Sequence, residues 1–308
     1  MPFLSHGAHR IRYELDGPEG GPAYVLVNGL TQYAELWRGY RDGLIARNFR
    51  VLTFDLLGQG ESDKPSLFID QQDQVAAVRA LVDLLGEGPV FLAGISFGGL
   101  IALRYAIAHG ETLAGLVQMS SFAELSPQLQ LLGNALRTGL ILGGTSYLQD
   151  LLLPMNLSDA WLGPQLKNLE TIKRQGWLIN DVYALQNLME SFLDFEPLTS
   201  QLGRINKPTM ILNGEFDFLT PRSLHETLRV NIPDSALVII PHAYHAFTLE
   251  KAALTADLLA RFATDVLAKK WRGARSIWIA PEDAGGELVP FPADYDHLRA
   301  IPIRKEPS

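Results

Sequence analysis

Three side chains in this sequence have the types and the order that acyl-transfer chemistry uses: Ser96, Asp217 and His245. A serine hydroxyl is a weak nucleophile until a base takes its proton. An imidazole serves as that base when a carboxylate fixes its tautomer and orientation. Ser96 is the centre of Gly94-Ile95-Ser96-Phe97-Gly98. The pentapeptide follows an apolar run at residues 89–93 and opens a helical stretch at 99–109, which Gly110 stops. Strand, Gly-x-Ser-x-Gly, helix is the context of a nucleophile elbow. Small residues two before and two after the serine let neighbouring backbone pass without collision. The amides at the helix start favour negative charge beside the hydroxyl. Outside that context the same five residues read as a turn with a capping serine.

The acid and the base stand after later strands. Asp217 follows the strand that ends in Asn213-Gly214 and precedes Leu219-Thr220-Pro221, a turn into a helix. Glu215 is the alternative acid, and a solvated or capping role is the alternative for Asp217. His245 lies immediately before the last helix, whereas His242, beside Pro241, is nearer the strand and fits a structural role. His6, His9, His109, His225 and His297 read as surface or packing histidines. The negative charge that develops on a substrate oxygen needs fixed donors. The amide of Phe97 is one, and the amide of Leu30, after Asn28-Gly29, is the natural second. The alternative for Gly29-Leu30 is no more than a tight turn. No His-Glu-x-x-His or comparable pattern appears, so neither metal nor cofactor is expected.

The elements that would position these residues follow a steady rhythm. Residues 9–15 alternate apolar and polar, as a half-exposed strand does. Residues 23–27 are a continuous apolar run, the mark of a buried parallel strand. A helix at 35–48, a strand at 49–55, a glycine-containing loop at 56–65 and an amphipathic helix at 71–85 follow. The elbow strand, elbow helix and a strand at 112–119 complete the first half. Residues from about 120 to 206 break the rhythm with leucine-rich helical segments at 127–142, 147–153, 162–175 and 182–192. They read as a lobe lying over the strand ends. Leu140, Leu142, Tyr147, Leu151, Met155, Trp161, Trp177, Met189 and Phe192 would pack it and face a pocket, although apolar stripes on helices are also plain lobe core. The rhythm resumes with strands at 208–212 and 236–240 and helices at 221–230 and 248–269. The expected fold is α/β, a mostly parallel sheet with helices on both faces. Its core spans 1–120 and 207–270, with a helical cap at 121–206 and an extension at 271–308. Trp278, Ile279, Leu288, Phe291, Tyr295 and Leu298 make that extension too apolar for a linker. It should pack on the body or on a second copy of the chain, as in a homodimer. In such sheets ligands bind beyond the carboxyl ends of the strands, where Asn28-Gly29, Asp55 and Ser96 all fall.

Composition narrows the function classes. The 308 residues are 47% hydrophobic and 19% charged, with a formal net charge of −8 and no cysteine. The acidic balance and the lack of a basic stripe argue against a nucleic-acid partner. Disulfides and thiolate metal sites are excluded. No apolar run reaches the ~20 residues of a membrane span. The start has neither a basic nor an apolar leader region, so a cytoplasmic location is expected.

With these stretches in hand, the chain resembles the α/β-hydrolase fold family. The resemblance rests on Val25-Leu26-Val27-Asn28-Gly29, on residues 54–62 from Phe54-Asp55 to Glu61-Ser62, on Gly94-Ile95-Ser96-Phe97-Gly98-Gly99, on Asn213-Gly214-Glu215-Phe216-Asp217, and on His245 with Glu250. It reaches to about Lys270. It implies Ser96 as nucleophile, Asp217 as acid and His245 as base, in the family's order. One departure is Asn28-Gly29 where the family usually has His-Gly. The serine sets the chain apart from the branches that use aspartate. A looser resemblance, in Leu26-Val27-Asn28-Gly29, Asn213 to Asp217 and the leucine-rich lobe, is to bacterial acyltransferases that join two hydroxyacyl groups into the precursor of rhamnolipids.

The expected function is therefore a serine hydrolase, carboxylesterase-like, cleaving an ester of an apolar acyl or alkyl substrate. The alternative is a hydroxyacyl acyltransferase on the same residues, favoured by a dry pocket. Carbon–carbon bond hydrolysis is a third reading. A ligand sensor that keeps the fold and signals by lid movement is a reading from a different class.

Overall fold

The computed structural model describes residues 2–66 and 68–291, with the side chain of Trp177 outside the described set. Among the described residues ten strands form one sheet in the order β1-β2-β4-β3-β5-β6-β7-β8-β9-β10. The strands are β1 (Phe3–His6), β2 (His9–Asp16), β3 (Ala23–Val27), β4 (Arg50–Phe54), β5 (Val90–Ile95), β6 (Gly115–Met119), β7 (Thr209–Gly214), β8 (Ser235–Ile240), β9 (Ser276–Ile279) and β10 (Val289–Pro290). From β4 through β9 every pairing is parallel, and antiparallel pairs close both edges. The strands β3, β5, β6, β7 and β8 are buried along their whole length. That is why they read as unbroken apolar runs rather than alternating ones.

Strand side chains point alternately to the two faces, and β3 shows the consequence. Val25 and Val27 join a core with Leu92 of β5, while Tyr24 and Leu26 join a second core with Phe91. The first is covered by α2 (Gln71–Asp83), α3 (Phe97–His109) and α8 (Arg222–Asn231), through Leu81, Leu100 and Leu224. The second is covered by α1 (Arg38–Ile45), α9 (Phe247–Glu250) and α10 (Ala252–Leu267), through Leu44, Phe247 and Leu258. Asp70 caps α2 in a capping box with Asp73, which satisfies donors at the helix start from both sides.

Between β6 and β7 the chain is helical: α4 (Pro127–Asn156), α5 (Asp159–Gln165), α6 (Leu169–Ile179) and α7 (Val182–Glu190). Leu140, Leu148, Leu185 and Leu188 are buried in the first core.

Several expectations are corrected. The helix expected at 35–48 is a short 3-10 turn, Ala34–Trp37, followed by α1, which stops at Ile45. The segments expected at 127–142 and 147–153 both fall in α4, and the break expected between them is present at Gly144, whose φ of 68° and ψ of −168° interrupt the helical path. The last helix breaks at Lys251. Leu142 does not pack the lobe, being 81% exposed, and Tyr147, 49% exposed, lies only with one side against Gly139 and Gly143. β1 has no counterpart in the sequence reading. The sheet does not end at 270, because β9 pairs in parallel with β8 and carries Trp278 and Ile279 into it. Tyr295, His297 and Leu298 lie outside the described residues.

Candidate active site

Ser96 occupies the turn between β5 and α3 with φ 53° and ψ −119°, a conformation that L-residues rarely adopt. The glycines around it are there for close approach. A Cβ on Gly98 would lie 2.2 Å from the Val27 carbonyl oxygen and 2.3 Å from that of Asn28. A Cβ on Gly94 would lie 2.3 Å from the Gly98 carbonyl oxygen. The elbow therefore needs glycine at 98 to seat against β3 and at 94 to clear the start of α3.

Asp217 follows β7 and His245 follows β8, both at the carboxyl edge of the sheet. His245 Nδ1 lies 3.0 Å from each oxygen of Asp217. Thr220 completes the arrangement: its amide donates to Asp217 Oδ1 at 2.8 Å and its hydroxyl to Oδ2 at 2.8 Å. Burial by itself would raise the Asp217 pKa. The charge and hydrogen bond of His245, His225 nearby and the Thr220 amide outweigh it, so the carboxyl is held below its ordinary value. An ionised carboxylate accepting from Nδ1–H leaves Nε2 of His245 free to take a proton. The alternatives are placed elsewhere. Glu215 accepts from the amide of His242 at 2.9 Å, and His242 is half-exposed on a backbone of φ 56°.

Residues 120 and 121, just past β6, tie the two halves together. Ser120 Oγ donates to the His245 carbonyl at 2.8 Å, and Ser121 Oγ donates to the Ser96 carbonyl at 3.1 Å. The Ser121 amide donates to His225 Nε2 at 3.1 Å. His225 must then carry its proton on Nδ1, which lies 3.3 Å from the Pro221 carbonyl. Burial lowers its pKa to about 4 against the pull of Asp217, so it is a neutral brace. Sequence reasoning did not single out Ser120, Ser121 or Thr220, and classed His225 with surface or packing histidines; it is wholly buried. The signal available was position: Ser120-Ser121 ends the strand between the elbow strand and the aspartate strand.

Leu30 and Phe97 flank the elbow. The Phe97 amide is in the first turn of α3, where backbone donors have no helical acceptor. Leu30 sits in the turn after β3, where a Cβ on Gly29 would be 3.4 Å from Ser96 Cβ. Gln32 Oε1 accepts from the Gly29 amide at 2.9 Å, and Gln59 Nε2 donates to the Gly29 carbonyl at 3.3 Å. The indole of Trp37 donates to Asn28 Oδ1. The loop bearing Gln59 is clamped in turn by Asp55, which accepts from the Ala34 amide at 2.7 Å and the Glu61 amide at 2.8 Å. Asp55 is thus a brace between loops. Over the elbow, Phe97 stacks edge-on with Phe192 at 5.5 Å, and Phe192 contacts Phe122 and Phe195. Among the described residues no group of three or more His, Asp or Glu could hold a metal ion. No helix there is long and apolar enough to cross a membrane.

The arrangement offers a hydroxyl at a positive helix end, an imidazole oriented by a buried carboxylate and an apolar surround. These are the parts of nucleophilic acyl transfer. Comparison with known proteins agrees with the architecture. An AB hydrolase superfamily protein of Bacillus subtilis, YisY, is 27% identical over 255 residues, which is 79% of this chain and 91% of that one. The 2-hydroxy-6-oxononadienedioate/2-hydroxy-6-oxononatrienedioate hydrolase of Klebsiella pneumoniae is 27% identical over 273 residues, 84% of this chain and 93% of its own. The enol-lactonase of Burkholderia xenovorans LB400 superposes with a TM-score of 0.77 at 21% identity, over 85% of this chain and 100% of that one. The profile of the family described as "Serine aminopeptidase, S33" matches residues 22–252. The chain therefore belongs to that family and, with it, to the α/β-hydrolase superfamily.

Proposed function

We propose that the protein is a serine hydrolase that cleaves a carboxylic ester of an apolar acyl or alkyl substrate through an acyl-enzyme. The observation that carries this reading is the buried His245–Asp217 pair, tied through Ser120 and Ser121 to the strained elbow of Ser96. Ser96 Oγ attacks the carbonyl carbon while His245 takes its proton. Asp217 holds the ring and stabilises the imidazolium. The amides of Leu30 and Phe97 receive the oxyanion, a contribution on the order of 10²–10³ in rate per donor elsewhere. His245 returns the proton to the leaving alcohol, then activates the water that releases the acid. Residues 121–206 act as a cap, and the rings of Phe97, Phe122, Phe192 and Phe195 favour an apolar acyl or alkyl group beneath it.

The same aromatic cover supports a second reading. Where water is kept from the acyl-enzyme, a hydroxyacyl group can accept the acyl chain instead. Initial rates on p-nitrophenyl esters of graded chain length, with products identified by mass spectrometry in the presence of a 3-hydroxy fatty acid, test both. Hydrolysis of medium-chain esters about tenfold faster than acetate, with free acid as product, is the expected result. A joined hydroxyacyl ester as the main product would establish the second reading. No turnover of any ester would overturn both.

A further inference from the structure

The turn that carries the Leu30 amide contains a residue in an unfavourable conformation. The Gln32 amide donates to the Gly29 carbonyl at 3.3 Å, which closes a four-residue turn with Leu30 and Thr31 in its centre. Thr31 has a φ of 67°. Turns of this kind place glycine or asparagine at the third position, because a β-branched side chain there crowds its own backbone. Such a conformation persists only when neighbouring groups hold it. Gln32, from the turn itself, and Gln59, from the loop after β4, hold the backbone of Gly29, and Asn28 Nδ2 lies 3.5 Å from the Gln32 carbonyl at the other end. The Thr31 carbonyl is held from elsewhere. Asn180, at the end of α6 in the helical segment, donates to it from Nδ2 at 3.0 Å. The same Nδ2 lies 3.3 Å from the Gly176 carbonyl one helical turn back, which fixes the direction of the side chain. Asn180 is 6% exposed. A cleft of about 410 Å³, lined by Gly60, Lys64, Leu178 and Asn180, runs along the seam between core and helices beside this contact. Solvent thus reaches the seam next to the contact.

We propose that Asn180 is a positioning residue that makes the oxyanion donor at Leu30 depend on the seating of the helical segment. With α6 seated, the Asn180 amide holds the Thr31 carbonyl, the strained turn is kept and the Leu30 N–H stays aimed at the site. When the segment lifts to admit substrate, that hold is released and the donor is lost until it closes again. The inference rests on the serine-hydrolase reading above and adds to it a coupling between closure and chemistry.

The test is steady-state kinetics on a p-nitrophenyl ester, with fluorophosphonate labelling of Ser96 followed by intact mass, on folded full-length protein. Asn180→Ala is expected to lower kcat by about 10- to 100-fold with KM within about twofold, and to slow labelling in parallel. Asn180→Asp, which sets a carboxylate against the carbonyl, is expected to lose at least as much. Thr31→Gly in the Asn180→Ala background is expected to recover at least half of the loss on a logarithmic scale, because glycine holds the turn without help. Unchanged kcat in Asn180→Ala, a rise in KM alone, or a loss that Thr31→Gly does not reverse would each overturn the coupling. These outcomes leave the hydrolase reading standing as long as wild type labels at Ser96. A wild type that neither labels nor turns over ester overturns both.

Discussion

At the carboxyl edge of the sheet, Ser120, Thr220 and His225 are at most 1% exposed: Ser120 donates to the His245 carbonyl, Thr220 to Asp217, and His225 accepts from the Ser121 amide. In the helical segment above, Leu142, Leu178 and Tyr183 stand 81%, 80% and 77% exposed. The segment meets the core through buried leucines, among them Leu140 and Leu188, and through contacts near the edge. The Asn156 carbonyl accepts from the Ala246 amide at 2.9 Å, next to His245. Ser158 engages the Glu250 carboxylate, with its amide at 3.0 Å. Phe192 packs on Phe97, and Asn180 reaches Thr31. The edge is rigid because an unpaired polar group there would go without water.

Breaking the edge should cost most. Asp217→Asn keeps the shape but removes the charge that fixes the His245 tautomer and stabilises the imidazolium. We expect kcat to fall by about 10⁴-fold with KM little changed, measured on a p-nitrophenyl ester. A fall of less than tenfold would mean that Asp217 does not orient the base.

The neutral brace should show itself in stability rather than rate. His225 titrates near 6.5 in an unfolded chain and at about 4 in the fold. Between those values the unfolded chain binds the extra proton. The contribution is therefore fully present above pH 6.5 and is lost as the pH falls toward 4, by about 3 kcal/mol. Asp217, held below its ordinary value, loses its own contribution only at lower pH. Denaturant melts of wild type and His225→Gln across pH 4–7 measure the difference, since a glutamine oxygen can still accept from the Ser121 amide. The gap between the two proteins should shift in favour of the variant as the pH falls. A gap that is constant with pH would contradict a buried neutral imidazole.

The smallest effect belongs to the face of the helical segment. Leu142→Ser touches nothing buried and should change stability by no more than about 0.5 kcal/mol, with ester kinetics unchanged. A larger loss in a melt would mean that this side chain is covered.

The same contrast explains what the sequence made legible. Strands β3, β5, β7 and β8 were readable because burial on both faces leaves an apolar run that few other elements produce. The elbow was readable because Gly94 and Gly98 answer to collisions that any side chain would cause. The meeting of Asp217 with His245 was readable from order and from the strand ends they follow. Ser120, Ser121 and Thr220 were not, because small hydroxyl residues beyond a strand look alike until the sheet order puts β6 between β5 and β7. The break between 127–142 and 147–153 was legible because two glycines, Gly143 and Gly144, argue for a stop, and Gly144 leaves the helical region. β9 was hidden by the prolines and glycines around it, since only pairing with β8 makes four half-buried residues a strand.

The central claim is that Ser96 is an activated nucleophile, and intact-mass analysis after treatment with a fluorophosphonate probe tests it most directly. Wild type should gain one adduct and Ser96→Ala none, with both proteins folded by circular dichroism. A folded wild type without an adduct, or an adduct that persists in Ser96→Ala, would contradict the account.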